Sequence, residues 1–253
     1  MRFDILTLFP QMFAPFLENG VTRRAFASGQ VAVHLWNPRD FAEGNYRRVD
    51  DRPFGGGPGM VMLAEPLQRC LDAALQDRAQ AGETAAAPVV LFSPIGEVLH
   101  HDAVARWAES AGAILLCGRY EGMDQRFIDA NVTHQISLGD FILSGGELAA
   151  LVLLDAVTRL QPGVLHDAGS FQQDSFNPAL DGLLDCPHYT RPEYWDGRHV
   201  PEVLTSGNHE HIERWRRDQR LALTAAHRPD LLDAARRAGR ISPRDESVLT
   251  DKP

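Results

Sequence analysis

Five glycines (Gly118, Gly122, Gly139, Gly145, Gly146) punctuate residues 115–150, and beyond them stand a cation, Arg159, and a carboxylate, Asp174. Glycine has no Cβ, so it tolerates positive φ and lets backbone amides come close to a ligand. The loops that hold these glycines carry no metal-ligand set, no dinucleotide fingerprint and no phosphate-loop lysine. They point to a pocket for some other small molecule. Arg159 ends an otherwise apolar helix pattern, where it reads either as compensation of the helix dipole or as a cation aimed into a site. Asp174, in QQDSF, reads as a turn former or a solvated charge, or else as a catalytic group.

Other chemistry is weakly supported. GGGPGM (55–60) lacks the lysine of a phosphate loop and reads as a flexible loop that lets backbone approach a ligand or partner. Arg47, Arg48 and Arg52, interleaved with Asp50 and Asp51, fit either phosphate or guanine recognition or a solvated charged turn. The pairs His100–His101 and His209–His211 lack the i,i+4 spacing of a zinc pair, so no metal site is expected from them. A nucleophile elbow, GxSxG, is missing too.

These residues need a scaffold, and the periodicity supplies one. Apolar runs bounded by turn residues predict strands at 3–9, 31–36, 89–94, 113–118 and, more weakly, 134–139. Helix patterns lie between them, at 63–80 and 100–111. A third, at 148–160, is apolar almost all round and predicts a buried helix. Alternating strands and helices predict an α/β domain with a mainly parallel sheet, whose ligands bind beyond the carboxyl ends of strands. The loops after Leu116 and Leu138 fall at such ends. Residues 161–187 lose periodicity and read as a connector. Asn208 caps an amphipathic helix predicted to put Ile212, Trp215, Gln219 and Ala222 on one face. A short helix ending at Gly239 follows, and the tail after Arg240 is expected to fray.

Charge is uneven: net −6 over residues 1–160, −4 over 161–187 and +1 over 188–253. A general nucleic-acid binder is disfavoured by the acidic total, but local arginine patches remain available. The three cysteines are scattered, which fits a reducing cytoplasm. The first residues read as a strand, not a signal peptide, and no apolar run is long enough to span a bilayer.

Six segments, in order and at compatible spacings, resemble the bacterial tRNA (guanine-N1)-methyltransferase family of the SPOUT class. They are VDDRPFGGGPGM (49–60), LCGRYEGMDQR (116–126), SLGDFILSGGELA (137–149), DSF (174–176), LLDCPHYTRP (183–192) and SGNHEHIERWR (206–216). The resemblance implies a knotted α/β domain over 1–160, with a deep trefoil knot and helices on both faces of a mainly parallel sheet. It further implies a flexible linker over 161–187, a small helical tRNA-binding domain over 188–253, and a homodimer with the active site between subunits.

The implied cofactor is S-adenosyl-L-methionine (AdoMet). By matching positions it would be held by Ser93, Gly118, Tyr120, Glu121, Gly122, Leu138, Gly139, Asp140, Phe141, Ile142, Leu143, Ser144, Gly145 and Gly146. Phe141 departs from relatives that carry Tyr, losing a hydroxyl but keeping the ring. The implied reaction methylates N1 of the guanosine immediately 3′ of the anticodon, position 37 of the tRNA. Asp174 matches the family's general base, and Arg159 the group that could stabilise charge on guanine O6. The RNA would be held by Arg47, Arg48, Arg52, Gly59, His188, Arg214, Arg217 and Arg220. The family is also similar in needing Mg²⁺, and Glu121 could help to place a metal or the methionine end of the cofactor.

Overall fold

The computed structural model describes residues 1–83, 85–165 and 169–250; residues 166–168 of the expected linker and 251–253 of the tail lie outside the described residues. The chain divides into two compact units, Met1–Leu165 and His166–Pro253.

The first unit opens with β1 (Arg2–Leu6), α1 (Ala14–Glu18), α2 (Arg23–Ala27) and β2 (Ala32–Trp36). A two-residue antiparallel pair follows, β3 (Asp50–Asp51) with β4 (Val61–Met62). Then come α3 (Ala64–Gln80), β5 (Val89–Val98), α4 (His101–Glu109), β6 (Gly112–Leu116), α5 (Gln125–Asn131), β7 (His134–Ser137) and α6 (Glu147–Thr158). Five strands form one sheet in the order β2-β1-β6-β5-β7, and every pair is parallel. This is the expected α/β arrangement.

Strand β6 is buried along its whole length. Ala113 and Leu115 pack on the α6 side with Leu153, Leu154 and Val157, while Ile114 and Leu116 pack on the α3 side with Leu67, Leu71 and Phe127. Burial on both faces is why these strands read as continuous apolar runs without alternation.

One buried group breaks that pattern. Asp4, mid-strand in β1, is fully buried, and both its oxygens are occupied. It accepts hydrogen bonds from Arg2 Nε (2.9 Å) and Nη2 (2.7 Å), Arg78 Nη1 (2.7 Å) and Trp36 Nε1 (2.9 Å). Burial raises its pKa, but Arg2, then Trp36 and Arg78, outweigh burial and hold the carboxyl below its ordinary value.

Two first-unit expectations change. Strand β5 runs four residues past the predicted end, to Val98, because it leaves the ladder after Phe92 and rejoins it at Glu97. On its return Gly96 lies flat on the backbone of β7, where a Cβ would stand 2.5 Å from Gln135 C and Ile136 N. Helix α6 is not buried all round: Leu148 and Val152, one turn apart, are each 48% exposed.

The second unit comprises α7 (Gly169–Gln172), the hairpin β8 (Tyr194–Trp195) and β9 (Arg198–His199), α8 (Glu202–Thr205), α9 (His209–His227), α10 (Pro229–Arg237) and α11 (Pro243–Thr250). Asn208 caps α9 as expected, its side chain accepting from His211 N at 3.2 Å. The buried stripe of α9 is Arg220, Leu221 and Thr224, not the predicted Ile212 face. Helices α10 and α11 pack on α9 and select that stripe, and Arg220 can enter it because Asp185 lies 3.6 Å from its Nε.

The expected connector is partly core. Leu180 and Leu183 are buried, and Leu183 joins Leu221, Leu232 and Ala235 in the unit's small apolar cluster. The tail is helical from Pro243 to Thr250, where α11 brings in a buried Asp245.

Candidate active site

Residues 91–94 of β5, where the strand leaves the ladder, and the loops after the carboxyl ends of β6 and β7 line one cavity of about 590 Å³. Ligand pockets of small molecules and cofactors span roughly 300–1,000 Å³. Its walls include Ser93, Gly118, Tyr120, Glu121, Gly122, Leu138, Gly139 and the run from Phe141 to Gly146. Every residue expected to hold the cofactor is therefore gathered here except Asp140, which is not on the wall.

Local geometry explains the residue types. Tyr120 takes φ 59°, Gly122 φ 133° and Gly139 φ 136°. Gly146 begins α6 against the end of β6: a Cβ there would lie 2.7 Å from Cys117 Cα, and its N–H donates to Gly118 O at 3.0 Å. Burial, and then Glu147, push the Cys117 thiol well up, so it is an inert packing group. Tyr120's phenol is raised too, first by burial and then by Asp50.

Two residues that the motif reading passed over stabilise this cradle. Glu147 is completely buried. Its Oε2 lies 2.9 Å from Arg119 Nε, and its Oε1 accepts from Thr7 Oγ1 at 2.9 Å. The Arg119–Glu147 contact is an ion pair without hydrogen-bond alignment. Arg119 also donates from Nη1 to Ser144 O at 3.2 Å and lies 4.4 Å over the Phe9 ring. It crosses the position where Gly145 would carry a Cβ. A Cβ at 145 would force the Arg119 guanidinium out of that space. The available sequence signal was an acid opening an apolar helix, but that pattern ordinarily means dipole compensation.

The 55–60 loop reaches the same wall. Met60 O accepts from Glu121 N at 2.9 Å, and Gly122 O from Met62 N at 2.8 Å. Gly59, at φ 81°, lies directly against the Glu121 side chain, where any Cβ would overlap the carboxylate. Beside this loop Arg47 pairs with Asp40 and Arg48 with Asp51, whereas Arg52 is exposed and has no ion pair among the described residues.

Arg159 sits at the C-cap of α6, its N–H donating to Asp155 O at 3.0 Å. Asp174 belongs to the second unit, in a turn where its O accepts from Asn177 N at 3.2 Å. The C-terminal arginines are engaged at home: Arg214 with Asp218 and Asp245, Arg217 with Asp181 and Asp245, and Arg220 with Asp185. His188 is exposed and bonds Asp185 at 2.8 Å.

The donor set fits AdoMet: glycine backbones for close approach, the rings of Phe141 and Tyr120, and the aliphatic Ile142 and Leu143. It does not build a magnesium cage. Among the described residues the one grouping of three potential metal ligands is Asp185, Cys186 and His188, which does not include Glu121. That grouping is explained by its own hydrogen bonds to Asp185. No described helix is long and apolar enough to cross a membrane.

The profile of the family described as tRNA (Guanine-1)-methyltransferase TrmD matches residues 1–234. A tRNA (guanine-N(1)-)-methyltransferase of Paracidovorax citrulli is 71% identical over 98% of this chain and 97% of its own length. The protein of that name from Albidiferax ferrireducens is 70% identical over the whole of both chains, and that of Cupriavidus necator 55% identical over 99% and 95%. With the pocket motifs and the full-length matches in agreement, this chain belongs to the tRNA (guanine-1)-methyltransferase family.

Proposed function

We propose that this chain transfers the methyl group of AdoMet to N1 of guanosine 37 in tRNA, working in the cytoplasm as a homodimer. The observation that carries the reading is the cavity formed by the glycine-bearing loops after β6 and β7 together with residues 91–94 of β5, in a chain of this family. AdoMet supplies a methyl already activated by its sulfonium, so the protein has to align the acceptor and manage one proton.

Guanine N1 carries that proton, and Asp174 is the carboxylate assigned to remove it. Loss of the N1 proton moves negative charge towards O6, and the Arg159 guanidinium is the cation assigned to stabilise it. Asp140, off the cavity wall, is not assigned a cofactor contact. No step is assigned to Mg²⁺. The exposed Leu148 and Val152, one turn apart on α6, support an apolar contact between copies. The knotted path is carried over from the family.

The test is incubation with unmodified tRNA and labelled AdoMet, followed by mapping of the methylated nucleotide. Label at guanosine 37 is expected, and its absence there overturns the reading. Asp174→Ala should abolish transfer while AdoMet still binds by calorimetry. Near-normal turnover in that variant would remove Asp174 from the role of base. Arg159→Ala should lower turnover far more than cofactor affinity.

A further inference from the structure

We infer that the hairpin Tyr194–His199, together with Arg191, is a contact surface for unpaired bases of the RNA substrate and the phosphates beside them; this rests on the reading of the chain as a tRNA-modifying enzyme. Every residue from 188 to 199 is exposed. Within that run Tyr189 is 49%, Tyr194 55% and Trp195 67% exposed. A single exposed ring is ordinary, but several close together mark an interaction surface.

The hairpin is built to hold its shape. Asp196 (φ 50°) and Gly197 (φ 77°) form a two-residue turn with both residues left-handed, the turn that matches strand twist. Val200 N donates to Glu193 O at 2.9 Å and closes the base. Tyr189, just before it, rests 6.2 Å from the Trp215 ring on α9. Cross-strand pairing sets Trp195 beside Arg198 and Tyr194 beside His199, whose rings are 4.7 Å apart. Each face of the ribbon therefore offers one aromatic ring and one basic side chain.

The arginines decide the partner. Arg214, Arg216, Arg217 and Arg220 on α9 all have carboxylate partners. Arg191 and Arg198 have none among the described residues, and their guanidiniums are exposed. A phosphate contact needs a guanidinium that is not already neutralised, so the phosphate-binding role expected of α9 fits these two better. Glu193 and Asp196 lie on the same ribbon and limit its net charge, which disfavours an anionic membrane surface. Rings that can stack, flanked by guanidiniums, are the combination that recognises splayed-out single-stranded RNA.

The experiment uses the full chain with unmodified tRNA. Trp195→Ala should raise KM for tRNA roughly tenfold, the usual loss for one stacked base, with AdoMet affinity, kcat and the circular dichroism spectrum unchanged. Trp195→Phe should restore most of the affinity. Arg191→Ala with Arg198→Ala should flatten the dependence of log affinity on log salt by roughly one to two. Unchanged KM in Trp195→Ala and an unchanged salt slope overturn the inference. A change of oligomeric state in sedimentation, with tRNA affinity intact, overturns it in favour of a second copy of the chain. If the wild-type chain methylates no tRNA, the functional reading fails; if it does and the variants match it, only the hairpin assignment fails.

Discussion

Glu147 is a carboxylate with no exposure to water, and its charge is tolerable because Arg119 and Thr7 meet its two oxygens. Removing one member of a buried pair typically costs about 3–5 kcal/mol, because the other charge is left unmatched. Arg119→Ala should therefore lower the melting temperature and weaken AdoMet binding tenfold or more by calorimetry. Replacing both charges, as Arg119→Met with Glu147→Leu, should recover stability relative to either single variant in a double-mutant cycle. Equal melting temperatures for wild type and both singles would dismiss the pair as a strut of the cofactor loops. Gly59 offers a second test at this scale. A methyl group at Gly59→Ala has to displace the Glu121 carboxylate, so turnover should fall about tenfold, equivalent to ~1.4 kcal/mol in the barrier, with the fold intact by circular dichroism. Unchanged turnover would mean that Glu121 has room to move without consequence.

At the scale of elements, α6 does two jobs on two faces. Leu153, Leu154 and Val157 fill the core against β6, and Leu154→Ala should cost about 3 kcal/mol in urea unfolding, within the usual range for a buried leucine. Leu148 and Val152 look outward. Leu148→Asp should leave the monomer's fold intact but convert a dimer to monomers in sedimentation; a variant that sediments as wild type would place the interface elsewhere. The helix's existence and approximate ends were legible in its apolar run, while its two-sided character was not. An unbroken apolar stretch does not say which part of its circumference faces the sheet. Strand β5 shows the same limit. Its first residues were plain in VVLFSP, but the excursion at 93–96 and the return on Gly96 depend on where β7 lies.

At the scale of the whole molecule, the two units are stabilised differently. The first has an extensive apolar core on both faces of its sheet; the second has a small cluster around Leu183 and Leu221, reinforced by ion pairs. Asp245 is the hub of those pairs. Burial raises its pKa, but Arg217 and the Ser242 backbone and hydroxyl outweigh burial and hold it at about 2, below the ordinary 3.8. A depressed carboxyl stabilises the fold fully above the unfolded pKa and loses that contribution as pH falls through the folded one. The second unit should therefore weaken between about pH 4 and 2, read by its tryptophan fluorescence. Asp245→Asn should remove that pH step and cost ~3 kcal/mol at neutral pH, because Arg214 and Arg217 lose their shared partner. An unaltered acid transition in the variant would assign the step to other carboxylates.

The sequence by itself determined the α/β class, the positions of the sheet strands and the glycine loops that line the pocket. Apolar runs and glycines are local signals, and each constrains the backbone where it stands. Tertiary structure alone decided that Glu147 is Arg119's counterion, that Asp4 is a buried hub, that Leu183 of the connector belongs to the second core, and that the α9 arginines are already paired. Those outcomes depend on groups far apart in the chain reaching hydrogen-bond distance, and a charge looks the same in sequence whether water or a partner faces it.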